Sequence, residues 1–150
     1  MVALLTMDTY IDEIRKWLTK FALHVRNKDF AAGRTMFYED IYCFGSRAEI
    51  LEGLDDLIER QWKMIWPNIT DFNFLTDQFH CEFSPDKKFA CVLAPWTSTG
   101  YHRDGTSFPR LGRVTILLIR DEAQSAWLAK HTHYSLYPGT PNQTFGPKTV

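Results

Sequence analysis

Trp127-Leu128-Ala129-Lys130-His131-Thr132-His133-Tyr134-Ser135 is the stretch whose reading decides the fold. Side chains in a strand alternate between two faces. Unbroken alternation sets His131 and His133 on one face with Trp127, Ala129 and Ser135. Two imidazoles on a face that otherwise reads as core are costly without partners. The pair suits three roles: ligands, proton carriers, or two satisfied hydrogen-bonding groups.

The preceding strand, Arg113 to Ile119, adds a second constraint. Its odd positions are Arg113, Thr115, Leu117 and Ile119, and its even positions are Val114, Ile116 and Leu118. A half-exposed strand would alternate apolar with polar. This one is apolar on both faces, so both need cover. Helices can cover one face, and a second subunit is the simplest cover for the other. A homodimer is expected.

A hairpin about residues 121–125 sets Ile119 opposite Trp127, Leu117 opposite Ala129, Thr115 opposite His131, and Arg113 opposite His133. One end of the shared face is then apolar, and the other carries Arg113, Thr115, His131, His133 and Ser135. An apolar pocket with a few convergent polar groups is the usual form of a small-molecule site. The opposite parity, with Leu128, Lys130, Thr132, Tyr134 and Leu136, reads as the subunit or solvent side because of Lys130.

The first half of the chain is helical. Asp8 or Thr9 can cap a helix, and Ile14, Trp17, Leu18, Phe21 and Val25 form one apolar stripe. A short helix follows from Phe30 to about Met36, then a strand over Ile41 to Phe44. A third helix opens at Gly53 and Asp55, buries Leu54, Leu57, Ile58, Trp62 and Ile65, and stops at Trp66-Pro67. The second half reads as strands over Asp71 to Phe83, Phe89 to Ser98, Arg110 to Arg120 and Ser125 to Leu136, with a loop from Thr99 to Pro109 and an irregular Pro- and Gly-containing tail from about Tyr137. Helices followed by antiparallel hairpins predict an α+β domain with helices packed on one sheet face.

With 150 residues, 45% of them hydrophobic, the chain suits one domain spanning 1–150 with a real core. A net charge of −1 and scattered Lys and Arg argue against nucleic acid as the main partner. No apolar run reaches the length of a membrane span. The opening Met1-Val2-Ala3-Leu4-Leu5-Thr6-Met7 lacks a basic leader. Cys43, Cys81 and Cys91 form no CxxC pair, which fits reduced thiols in the cytoplasm.

Three segments carry a resemblance to a known family: the opening helix followed by Lys28-Asp29-Phe30-Ala31-Ala32; Pro95-Trp96-Thr97-Ser98-Thr99-Gly100 with Asp104-Gly105 and Gly112-Arg113; and Trp127 leading to His131-Thr132-His133-Tyr134-Ser135. Together they resemble the SnoaL-like branch of the nuclear transport factor two-like superfamily. The resemblance implies a cystatin-like cone, in which N-terminal helices lie in the concave face of a strongly curved antiparallel sheet around a pocket. It also implies frequent dimers through the outer sheet face. Members of the family range from cyclases, isomerases and dehydratases to association domains, and fold does not choose among them. Catalytic members similar to this chain mostly use an aspartate inside the cone. No interior aspartate is legible here, so no catalytic constellation is carried over.

The expected function is binding of a small, mostly apolar molecule with a carboxylate, phenol or carbonyl end. Cofactor-free proton transfer of isomerase, cyclase or dehydratase type is one extension of it. The alternative is a non-catalytic association or ligand-sensing module. His131 and His133 are the candidate acid and base, with Arg113 as anion stabiliser. Trp96, Thr115, Tyr38, Trp62 and Ser135 are candidate ligand contacts. No metal or cofactor is expected. His-x-His offers two ligands, but His80, His102, Cys81 and Cys91 supply no third at diagnostic spacing.

Overall fold

A computed structural model describes residues 6–46 and 49–148, so the opening run read for a leader lies, over residues 1–5, outside the described residues. Helix α1 (Met7–Asn27) begins earlier than expected, because the Thr6 hydroxyl accepts the Thr9 amide. It buries Ile14, Trp17, Leu18, Phe21, Ala22 and Val25, the predicted stripe with Ala22 added. Helix α2 (Phe30–Arg34), capped by Asp29, follows at once. Strands β1 (Tyr42–Phe44) and β2 (Ile50–Glu52) form a small hairpin, of which β2 was not anticipated. Next come α3 (Leu54–Leu57), a π-helical turn (Ile58–Trp62), α4 (Lys63–Ile65) and a 3₁₀ turn (Trp66–Asn68).

The rest is sheet: β3 (Thr70–Phe74), β4 (His80–Phe83), β5 (Phe89–Tyr101), β6 (Ser107–Ile119) and β7 (Leu128–Leu136). The strand order is β2-β1-β7-β6-β5-β3, with β4 also paired to β5. All pairings are antiparallel except β1 with β7, which run parallel through Phe44 and His133. The curved, unclosed sheet and the helices in its hollow make an α+β cone.

Two strand boundaries differ from expectation. Residues 71–83 form two strands rather than one, because a turn closed by Gln78 N–H on the Leu75 carbonyl separates β3 from β4. The expected loop 99–109 shrinks to a turn about residues 102–106, since β5 and β6 pair as far as Tyr101 and Ser107. Pro109 is tolerated inside β6 because the backbone of Leu111, two residues on, bonds toward the β7 side, where the last ladder pair is Gly112 with Leu136. The missing N–H of Pro109 therefore faces no strand.

The largest correction is a one-residue bulge in β7. Leu118 pairs with Ala129 and Leu117 with His131, which leaves Lys130 as the extra residue. A bulge of this kind reverses which parity faces the core. Trp127 and Ala129 stay inside, at 6% and 0% exposed, and beyond the bulge Thr132 is inside at 1%. His131 and His133 turn outward. The expected register is overturned with it: Thr115 lies opposite His133 and Arg113 opposite Ser135. Lys130 is held by the Asp40 carbonyl at 2.6 Å and its carboxylate at 2.8 Å.

Candidate functional site

The interior of the cone holds a partly enclosed cavity of about 40 Å³, room for about three waters. Its wall is mostly aromatic: Phe21, Trp62, Trp66, Phe72, Trp96 and Tyr134 all line it. Trp62 and Trp66 stack with ring centroids 4.5 Å apart. Gly33 makes room for that stack, since a Cβ there would lie 3.0 Å from the Trp66 ring and 3.1 Å from the Trp62 ring. The π-helical turn ends on Gln61 and Trp62, and both reach the cavity. On the sheet side Gly112 sits beneath Trp96, where a Cβ would come within 2.3 Å of the indole. Only glycine leaves room there, since a Cβ would also come within 2.2 Å of the Ser135 carbonyl oxygen.

Three polar atoms in this wall have no hydrogen-bond partner among the described residues: Arg110 Nε, Trp96 Nε1 and Gln61 Oε1. Buried polar groups of this kind are rare, because each forfeits its hydration. Arg110 is the most costly of them. It is 4% exposed, and its guanidinium lies 5.3 Å from the centre of the Trp96 ring. Among the described residues no Asp or Glu lines the cavity, and none of the ion pairs includes Arg110. Burial lowers its pKa to about 10, so it remains a cation at neutral pH. Burial also raises the phenol pKa of Tyr134, with the Cys43 thiol adding to the shift, and Tyr134 stays a protonated hydrogen-bond donor.

The residues singled out from sequence divide between two places. Trp62 and Trp96 line the cavity. His133, Arg113, Thr115 and Ser135 line a shallow groove of about 540 Å³ on the outer sheet face, with His131 beside them. The expectation that these five look inward with Trp96 and Trp127 is therefore corrected: the bulge at Lys130 turns His131, His133 and Ser135 outward, and on β6 the pairing of Leu118 with Ala129 puts the even positions inside and leaves Arg113 and Thr115 outside. They do converge, but outside. Arg113 Nε donates to Ser135 Oγ at 3.0 Å. His131 Nδ1 lies 2.5 Å from the Tyr42 carbonyl. Phe44 packs on both imidazoles. Tyr38 belongs to neither set. It packs half-buried against the core with Lys130 Nζ 5.4 Å from its ring centre, and burial, helped by Asp121, raises its pKa.

Sequence reasoning passed over Arg110, Gln61 and Tyr134. For Arg110 the signal was present: it shares parity with Val114, Ile116 and Leu118, so it belongs to the buried side of β6. Among the described residues no three His, Cys, Asp or Glu side chains come together as a metal ligand set. No helix of the described residues is long and apolar enough to cross a membrane.

Several solved structures share this fold. A nuclear transport factor 2-like superfamily protein from Salmonella enterica serovar Typhimurium aligns with a TM-score of 0.71 at 17% identity, over 97% of this chain and 96% of that one. A ketosteroid isomerase-like protein from Erwinia carotovora atroseptica aligns at 0.68 and 16% identity, over 87% and 98%. The association domain of C. elegans CaMKII aligns at 0.64 and 16% identity, over 83% and 93%. Likeness at this identity shows the fold alone. No curated protein sequence matches the chain. The family described as the SnoaL-like domain matches residues 14–139, and with that match over most of its length the chain belongs to the SnoaL-like family.

Proposed function

We propose that the protein binds a small anionic molecule with an apolar, preferably planar body inside the cone. The observation that carries this reading is Arg110, a buried guanidinium with no counter-ion among the described residues. A buried unpaired charge is retained against a large desolvation cost, and a ligand carboxylate or phenolate would remove that cost. Trp96 Nε1 is a second donor beside it, and the stacked indoles of Trp62 and Trp66 offer a flat apolar wall. Any proton transfer in the cone falls to Arg110 and Tyr134, which can stabilise or protonate an oxyanion. His131, His133 and Arg113 keep a proposed role only at the outer groove.

A thermal-shift screen with small carboxylic acids, phenols and neutral cyclic ketones tests this. Carboxylates such as acetate and propionate raise the melting temperature by mass action, and neutral ketones of similar size do not. Equal shifts from ketones, or none from any acid, contradict the anionic ligand.

A second reading, an association module, is favoured by the outer sheet face. Phe44, Phe89, Leu93 and Leu111 are 36–49% exposed there, an apolar surface that a second copy would cover. We propose that the whole chain acts as one domain and forms a homodimer through this face. The three free cysteines support a reducing, cytoplasmic setting.

A further inference from the structure

The cavity wall carries a polar set that a plain carboxylate does not complete. Arg110 Nε and Trp96 Nε1 are donors, and Gln61 Oε1 is an acceptor. All three atoms are buried and without a hydrogen-bond partner among the described residues, and their side chains line one cavity of about 40 Å³. A carboxylate can answer both donors. At neutral pH it has no proton to give, so the amide oxygen stays unpaired and forfeits its hydration.

The surroundings of Gln61 hold it in place. It lies in the π-helical turn Ile58–Trp62, and turns of that kind concentrate at functional sites. The chain leaving β1 presses on its amide: a Cβ at Gly45 would come within 2.4 Å of Oε1 and 2.9 Å of the amide carbon. The next residue, Trp62, is 2% exposed and stacked on Trp66. Glutamine rather than glutamate matters here. A glutamate would bring a carboxylate to the wall and could neutralise Arg110 from within. Glutamine supplies an acceptor and leaves the charge of Arg110 to a ligand.

We infer that the cavity takes a short 2-hydroxy carboxylate of about the size of glycolate, its carboxylate on Arg110 and Trp96 and its hydroxyl donating to Gln61 Oε1. The inference rests on the anionic-ligand reading above and adds the chemical class. A hydroxyl on the carbon next to the carboxylate suits a cavity with room for about three waters. A 2-amino acid could also donate to the amide. Its ammonium would set a second cation beside Arg110, in an apolar wall where no acidic side chain is found among the described residues.

Isothermal titration of propionate, glycolate and the amino acid glycine into the full chain and into Gln61→Met tests the class. Propionate and glycolate differ by a methyl for a hydroxyl and are nearly the same size. Water holds the hydroxyl more strongly, so an apolar cavity with no acceptor prefers propionate. Glycolate is expected to bind the unsubstituted chain about tenfold more tightly than propionate, and glycine more weakly than glycolate. Gln61→Met keeps the shape of the side chain without the amide, and is expected to bind propionate at least as well as glycolate. The comparison within the unsubstituted chain decides the matter even if Gln61→Met does not fold. Propionate or glycine binding as tightly as glycolate, or a glycolate preference that survives in Gln61→Met, overturns the hydroxy acid and leaves the anionic-ligand reading standing. Binding of none of the three overturns that reading as well.

Discussion

The two faces of strand β6 are built from similar residues and do different work. On the inner face Val114, Ile116 and Leu118 are 3% exposed or less and pack into the core. On the outer face Leu111 is 36% exposed and Leu117 is half-buried. Each face also carries an arginine without a carboxylate partner among the described residues. Arg110 is sealed in the cone and Arg113 lies in an open groove. Water screens the second and not the first. Hydrophobicity alone does not separate these faces. Their cover does: helices inside and, on the present proposal, another copy outside.

The widest expected difference between the faces is in stability. Ile116→Ala costs about 3 kcal/mol, because a wholly buried side chain leaves a cavity. Leu117→Ala, one residue away, costs roughly 1 kcal/mol or less in the monomer. Urea denaturation of both at low protein concentration checks this, and equal losses break the distinction between faces. Next comes Arg110→Met, which removes a buried unpaired charge and raises the stability of the ligand-free protein by about 2 kcal/mol. The same variant loses the melting-temperature gain from acetate or propionate. Arg113→Met, on the outer face, leaves that gain in place.

A smaller effect sharpens the picture of the interior through pH. Burial pushes the Cys81 thiol up to about 12 from 9.0, with Cys91 and Glu82 adding to it, and raises the Tyr134 phenol above its ordinary 10.0. Each group therefore binds its proton more tightly folded than unfolded. Their contribution to stability is complete below about pH 9 and is lost as pH rises toward about 12. Stability falls by roughly 1 kcal/mol between about pH 9 and 10, and Cys81→Val with Tyr134→Phe flattens that slope. An unchanged slope in the double variant shows that neither thiol nor phenol is shielded from water.

Much of the fold was legible because it repeats a period. The stripe Ile14, Trp17, Leu18, Phe21, Val25 is a helix face whatever surrounds it, and it is the face buried against the sheet. The doubly apolar run from Val114 to Ile119 announced a strand needing cover on both sides. The site was not legible in the same way, because sidedness is cumulative along a strand. One extra residue, Lys130, turned the His131 and His133 pair outward and brought Thr132 and Tyr134 inward. Nothing in the residues around Lys130 marks the bulge, and the Asp40 groups that hold its ammonium are distant in sequence. Arg110 was missed for a related reason. It stood at the start of an expected strand beside an expected loop, and only the continuation of β5 and β6 past Pro109 carries it deep into the cone.

Isothermal titration of propionate into the unsubstituted chain, Arg110→Gln and Arg113→Gln tests the central claim most directly. Binding to the unsubstituted chain and to Arg113→Gln, with none detectable in Arg110→Gln, is the result predicted. Binding that survives in Arg110→Gln and disappears in Arg113→Gln would place the anion site on the outer groove and contradict the account.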